Sequence, residues 1–466
     1  MVRLLHYSDL ENAFDDPDRL ARVAGFLDRR RDAETIVTNG GDCLAPSVLA
    51  METRGRHVLP FSDAVSPDVS TIGNHDFDLG VEPLCRVIAN VPGAYLAANL
   101  ERDDGGQFGA DVGVRSSVVL ERDGTRVGVV GVTEPDSIRV HSGADGVVAT
   151  DPAEAVAAEL DHLSADRVVV VSHTGYDDDE IATLDGVDAV LGGHDHRKCV
   201  ERVDGTPVVR PGAVGTRVGV VDLTDPAPTA RLVETAGANA LASVREQYES
   251  LRADNGLAEP VVDLDRPVRR GREDRYPVSR VGNFVADAIR WGADADVAVV
   301  HPGMLRGGSP LSGTVVTGDV RALTPFDSEL YRTTLSGDEL WALFESFAYP
   351  EPLAAFDIGP EVYGHVSGAR LQWDRSDESL ELVDIAVESA VDGRSPRPSE
   401  SFVVAAPAYE FEHSLYPALD ATDARSTGVS IQDVLVEFAS EVGIPTAVDE
   451  RMTLRRDETT RSLFSL

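Results

Sequence analysis

Short apolar runs recur along the first half of the chain, and each is closed by a small polar cluster. The runs are residues 4–5, 36–37, 69–72, 168–171 and 187–191. They predict strands with polar side chains gathered at their carboxyl ends, where chains that catalyse on a sheet place their chemistry. Helices are predicted between them. Asp16-Pro17 supplies a cap and a proline suited to the first helical position, and Leu20, Val23 and Leu27 then recur at helical spacing. Asp151-Pro152 repeats the device before Val156, Leu160 and Leu163. Residues 117–121 and 126–132 flank Asp123-Gly124, a hairpin signal, and further strands are expected at 207–210 and 217–223. The alternation implies an α/β layered sheet sandwich flanked by helices.

That pattern stops near Thr224-Asp225-Pro226-Ala227-Pro228. A polar helix is predicted over 240–252, followed by a charged, proline-containing stretch through 272–275. The expected organisation is a first domain over residues 1–235, a linker with one helix over 236–275, and a second domain over 276–455. The second domain mixes helices (283–291, 337–347) with strands (297–300, 402–405), and only the residues after Arg455 look compositionally disordered. A length of 466 residues fits two or three domains.

The polar clusters are Ser8-Asp9-Leu10-Glu11, Gly41-Asp42, Gly73-Asn74-His75-Asp76, Ser172-His173 and Gly193-His194-Asp195-His196. One Asp or His after a strand is ordinarily a turn residue or a cap. Five such segments in order point instead to a metal site. Gly73 permits a tight turn with three polar side chains crowded behind it. His194 and His196, two apart in an extended segment, can approach one centre from the same side. Oxygen donors mixed with imidazoles suit Mn, Fe or Zn better than a soft metal.

These segments resemble the calcineurin-like metallophosphoesterases, most closely their 5′-nucleotidase branch. Gly73-Asn74-His75-Asp76-Phe77-Asp78 is similar to that branch's Gly-Asn-His-Glu-Phe-Asp. Residues 281–288 resemble the opening of its second domain, and His301-Pro302-Gly303-Met304-Leu305-Arg306 its Asn-Gly-Gly-x-Ile-Arg loop. Pro325-Phe326, Leu335-Ser336-Gly337 and Val366-Ser367-Gly368 match further landmarks. The resemblance implies a four-layer αββα sandwich followed by a C-terminal α/β substrate domain. It implies two divalent metal ions bridged by Asp42, with Asp9 and His196 completing one site and Asn74, His173 and His194 the other. It implies a catalytic dyad of His75 and Asp78. Glu11 stands where the branch carries His, and is either a hard ligand or a bystander. For substrate the resemblance implies Arg306, with Arg332 as a second candidate cation, and a base stacked on Tyr363. The branch's second ring sits in a Gly-Gly-Asp-Gly-Phe/Tyr loop that this chain lacks; Tyr416 or Phe411 are candidate substitutes.

Composition narrows the setting. The formal net charge is -38, and Lys198 is the single lysine. Such acidity argues against nucleic-acid polymers as partners, since phosphate backbones need a basic surface. Acid spread throughout the chain suits a salt-rich cytoplasm of the haloarchaeal type, because at molar salt the Debye length is about 3 Å. No secretory signal and no membrane span are expected, and Cys43, Cys85 and Cys199 lack disulfide spacing, as in a reduced cytoplasm. Oligomeric state is not legible. The leading expectation is a phosphoester hydrolase releasing phosphate from nucleoside 5′-monophosphates. The alternatives are a cyclic-nucleotide phosphodiesterase, a nucleotide-sugar or dinucleotide pyrophosphatase, and a nonhydrolytic nucleotide-binding module.

Overall fold

The computed structural model describes residues 2–271, 273–348, 362–375, 380–390, 395–412, 416–445, 447–456 and 459–462. The chain divides into two compact units, residues 1–255 and 256–466.

The first unit holds two six-stranded sheets. In one, the order is Thr229–Glu234, Arg217–Asp222, Arg3–Tyr7, Thr35–Asn39, Val69–Thr71, Ala94–Leu96. In the other it is Lys198–Val203, Thr206–Pro211, Ala189–Gly192, Arg167–His173, Thr125–Thr133, Ser117–Arg122. Parallel pairing brings the carboxyl ends of Arg3–Tyr7, Thr35–Asn39 and Val69–Thr71 to one edge, and does the same for Arg167–His173 and Ala189–Gly192. Alternation decides which side each residue serves. Val127, Val129, Val169 and Val171 join Leu4, Ile36 and Val69 in the core shared by the sheets. Val130, Val132, Val168 and Val170 face outward onto Val156 of helix Pro152–Leu160 and Ile181 of helix Asp178–Ala182.

The other flank is covered by helices Pro17–Arg30, Val58–Val65 and Ala242–Asp254, with Phe14 edge-on to Phe61 and tilted against Tyr248. Four layers result, as expected. The two predicted caps form: Asp16 accepts from the Arg19 N–H at 3.1 Å and Asp151 from the Glu154 N–H at 2.9 Å.

The expected linker over 236–275 is divided between the units. Its helix packs in the first because Val244 and Tyr248 form a buried stripe, and its strand Pro260–Val268 pairs with Leu311–Val316 in the second. In the second unit a five-stranded sheet runs His365–Ser367, Val297–Val300, Ser401–Pro407, Glu329–Ser336, Arg425–Ser430. Val297 and Val299 face one core, Ala298 and Val300 another. A four-stranded sheet ends in Met452–Arg456 paired with Thr459–Ser462, a strand within the stretch after Arg455. Among the described residues no helix is long and apolar enough to cross a membrane. The three cysteines are free thiols, Cys43 buried and the others half-buried.

Candidate metal centre

The strand-end segments converge. Backbone hydrogen bonds stitch the first two together, the Asp9 N–H to the Gly41 carbonyl at 3.0 Å and the Glu11 N–H to the Asp42 carbonyl at 3.1 Å. Gly73 can pass because it lacks a side chain: a Cβ there would collide with the Asp42 carboxylate. Asp76 then locks the third segment to the second. Its carboxylate accepts from the N–H groups of Gly73 (2.8 Å), Leu44 (2.8 Å), Cys43 (3.0 Å) and Asp42 (3.2 Å). Burial, helped by Asp42, pushes Asp76 up to about 6 despite these donors.

Five of the seven expected metal ligands hold left-handed backbone conformations: Asp9 (φ 51°), Glu11 (43°), Asp42 (51°), His194 (75°) and His196 (58°). Such conformations cost non-glycine residues on the order of 1–3 kcal/mol each and cluster where function requires them.

The donor atoms meet at short range. His173 Nδ1–H donates to the Gly40 carbonyl at 2.6 Å. Its Nε2 is thereby turned inward, 3.1 Å from Asp42 Oδ2 and 3.3 Å from Asn74 Oδ1. Asn74 Oδ1 also lies 3.0 Å from His194 Nδ1. On the other side, His196 Nε2 is 3.0 Å from Glu11 Oε1 and 3.5 Å from Asp9 Oδ1. Asp9 Oδ1 accepts from the His194 N–H at 3.0 Å, while Asp9 Oδ2 is buried with no hydrogen-bond donor among the described residues. Two sets of ligand atoms lie within 4.8 Å of one another, Asp9–Asp42–His173 and Glu11–Asp42–His75, and Asp42 belongs to both.

This arrangement fits divalent ions. Two donors each ~2.1 Å from one ion stand roughly 3 Å apart. An imidazole donating its other nitrogen to a backbone carbonyl, as His173 does, is the usual support for a metal-binding histidine. A buried carboxylate oxygen lacking a donor suits a cation. The field is strongly negative. Burial opposes charge on His173, but Asp42 and Asp9 outweigh it and hold that imidazolium up to about 10; Glu11 and Asp9 do the same for His196. Desolvation, with His173 beside it, lowers the half-buried His194 to about 4.

His75 borders this cluster. Its N–H donates to Asp42 Oδ1 at 2.8 Å, and its Nδ1 lies 3.0 and 3.1 Å from the Asp78 oxygens. Asp78 also meets His141, whose Nε2 is 2.8 Å from Oδ1. Burial alone would raise Asp78; the two imidazoles reverse that and hold it at about 2.

Sequence reasoning missed His141, which lies in no motif. It also missed a buried brace behind the histidine loops. Arg210 Nε lies 2.9 Å from Asp178 Oδ2 and 3.4 Å from Asp195 Oδ2, and Nη2 donates to the Gly175 carbonyl at 2.8 Å. Asp195 separates His194 from His196; Asp178 accepts from Thr174, next to His173, at 3.0 Å. In sequence Arg210 is one strand residue among many.

The expected substrate residues of the second unit have mixed fates. Arg306 is buried, Nη1 donating to the Gly303 carbonyl at 2.8 Å and its guanidinium 4.9 Å from the Phe326 ring centre. Tyr363 is half-buried, its ring 6.0 Å from His301 and 6.4 Å from Tyr276, and burial pushes its hydroxyl well above the ordinary phenol range. Tyr416 is corrected from binding to core. It is 0% exposed, packs 5.1 Å from Phe347 and donates to the Tyr363 carbonyl at 2.7 Å. Phe411 lies in the same core. Arg332 is exposed, Nη1 donating at 3.4 Å to the carbonyl of Ala293 at the end of helix Arg280–Gly292.

Fold and geometry define a mixed α/β two-domain protein with a strand-end cluster able to hold metal ions. Residues 260–420 match the family described as 5′-nucleotidase, C-terminal domain. The 5′-nucleotidase of Diplobatis ommata is 31% identical over 173 residues, which are 36% of this chain; the match spans only 30% of that relative's length. The apyrase of Aedes albopictus is 24% identical over 526 residues, covering 95% of this chain and 89% of that protein. The crystal structure of a 5′-nucleotidase precursor from Thermus thermophilus superposes with a TM-score of 0.80 at 20% identity, over 98% of this chain and 99% of that one. The second unit is thus a domain of the 5′-nucleotidase C-terminal type, and the whole chain has the two-domain fold of 5′-nucleotidase structures.

Proposed function

We propose that the protein is a metal-dependent phosphoester hydrolase that releases phosphate from nucleoside 5′-monophosphates. The observation that carries the reading is the convergence of Asp9, Glu11, Asp42, Asn74, His173, His194 and His196 on one buried centre, with the His75–Asp78 pair at its border. Asp42 would be shared by both ions; Asp9, Glu11 and His196 would hold one of them, and Asn74, His173 and His194 the other. Paired divalent ions bound there, Mn, Zn or Fe, would supply an acidified water and a clamp on the phosphoryl oxygens. Glu11 is a ligand in this assignment because its carboxylate is buried at 3.0 Å from His196.

The chain's own residues do the rest. Asp78 engages His75 at Nδ1, so Nε2 is the nitrogen that serves the substrate. A carboxylate at Nδ1 favours the imidazolium, which can donate to a phosphoryl or leaving oxygen. Asp76 and Arg210 fix the loops before substrate arrives. Recognition of the nucleotide is assigned to the second unit through Arg306 and Tyr363, a planar cation for anionic oxygen and a ring for the base. The setting is a salt-rich cytoplasm, where the net charge of -38 is screened.

The decisive experiment is a panel of phosphoesters at molar salt with Mn, Zn and Mg compared. Free phosphate from AMP supports the reading. Opening of a cyclic phosphate or cleavage of a pyrophosphate in its place would reassign the substrate, and inactivity on all esters at full metal loading would leave a binding module.

A further inference from the structure

We propose that His141 is a positioning residue for the His75–Asp78 pair, holding the carboxylate so that His75 delivers its proton to the oxygen leaving phosphorus. The inference rests on the hydrolase reading above.

His141 lies 63 residues beyond Asp78, between helix Pro135–Val140 and the turn Ser142–Ala144. The Gly143 N–H donates to its Nδ1 at 3.1 Å. That nitrogen therefore carries the lone pair, and the ring proton sits on Nε2, aimed at Asp78 Oδ1 at 2.8 Å. Asp78 is thus gripped from two sides, by Nδ1 of His75 and Nε2 of His141.

The tautomer discriminates between two roles. His75, Asp78 and His141 also present ligand atoms within 4.8 Å of one another, as a metal site would. A metal at His141 Nε2 would need the lone pair there, which moves the proton to Nδ1 and sets it against the Gly143 N–H. The backbone donor thus favours the proton-donating role.

A second, independent contact holds the turn in place. A Cβ on Gly143 would collide with the Phe77 carbonyl, and it would lie 3.2 Å from His141 Cε1. The turn is pressed against the segment carrying His75 and Asp78, and only glycine fits. The grip has a purpose, because Asp78 and His141 keep 18% and 19% of their side-chain surface in water. A carboxylate held by one imidazole alone could swing toward solvent.

In the reaction a water oxygen bonds to phosphorus as the ester P–O bond breaks; the proton that water loses passes to solvent, and a solvent proton restores His75 afterwards. The electron pair of that bond stays on the leaving oxygen, which takes the proton from His75 Nε2. Asp78 remains a carboxylate throughout. The proton matters most when the leaving oxygen is a poor one, such as the alkoxide of a ribose, and little for a phenolate stable without it.

The test compares wild type, His141→Ala and His141→Gln on AMP and p-nitrophenyl phosphate, with metal stoichiometry read by calorimetry. Full general-acid catalysis is worth about 10²–10⁴-fold, and His141→Ala should lose roughly 10–100-fold of it in kcat on AMP. On p-nitrophenyl phosphate the loss should stay below about 3-fold, since its leaving group needs little acid help. KM should be unchanged on both. His141→Gln, whose amide N–H can reach the same carboxylate, should recover most of the rate. Equal losses on the two esters, or no loss, would overturn the proposal. So would an extra metal equivalent in wild type that disappears in His141→Ala. If wild type hydrolyses neither ester with any metal, the hydrolase reading itself fails and this inference falls with it.

Discussion

The two units gather their polar side chains differently. In the second, they meet in pairs and small groups. His301 Nδ1 lies 2.6 Å from Glu410, and Arg451 pairs with Asp287 at 2.7 Å and Asp449 at 3.2 Å. In the first, Asp9, Glu11 and Asp42 gather with His173, His194 and His196 at one strand edge, five of the six on left-handed backbone. An isolated buried ion pair is weak evidence of function, whereas carboxylates and imidazoles crowded at strand ends are the kind of donor set that suits a divalent ion. The comparison teaches where to look for chemistry: at the crowded cluster and not at the isolated pair.

The sharpest way to break this comparison is to remove a polar group from each unit. His75→Ala should lower kcat by about 10²–10⁴-fold with the fold intact, as expected for loss of a general acid. Initial rates and far-ultraviolet circular dichroism on the same sample check both halves of the statement.

Arg210→Met should be nearly as costly, but to stability. It strands Asp178 and Asp195, and breaking a buried ion pair costs roughly 3–5 kcal/mol. Trp291, Trp341 and Trp373, the protein's three tryptophans, all lie in the second unit. Denaturation followed by indole emission should therefore change less than denaturation followed by circular dichroism. If both probes shift equally, the brace is not confined to the first unit.

Acid probes both units at once. Burial holds His57 near 3 and His365 near 4 in the folded chain, below the ordinary 6.5. Each is neutral when folded and takes a proton more readily when unfolded, so its contribution is whole above 6.5 and shrinks as pH falls toward the folded value. The loss is about 1.4 kcal/mol per pH unit per histidine within that window. Urea midpoints measured between about pH 7 and 5 should fall, and His57→Gln should flatten the slope. A midpoint that rises with acid contradicts the assignment.

Smaller effects sharpen the reading of the second unit. Arg306→Ala should raise KM for AMP roughly tenfold with kcat retained, as expected on losing about 1.4 kcal/mol of substrate binding. Tyr416→Phe should cost about 1 kcal/mol of stability and leave KM unchanged, since only the bond to the Tyr363 carbonyl is lost. A KM that moves with Tyr416→Phe would return that residue to the substrate site.

How much of this could be read in advance differs between residues for definable reasons. The five polar strand-end segments were legible because strand period and turn chemistry put their polar groups at strand ends in one order. Asp76 sat inside a recognised motif, yet its four backbone bonds show it as a lock, a role no spacing announces. His141 was invisible because its partner is 63 residues away and nothing periodic links them. Tyr416 was misplaced because an aromatic near family landmarks looks the same whether it faces a ligand or a core.

By itself the sequence determined the strand ladder, the helix caps, the polar strand-end segments and the extreme acidity, since each follows from local pattern or composition. Tertiary structure alone decided that Asp42 is shared between ligand sets, that His173 turns Nε2 inward, that His141 grips Asp78 and that Tyr416 is core. Those facts depend on distances between residues far apart in the chain, and only packing sets such distances.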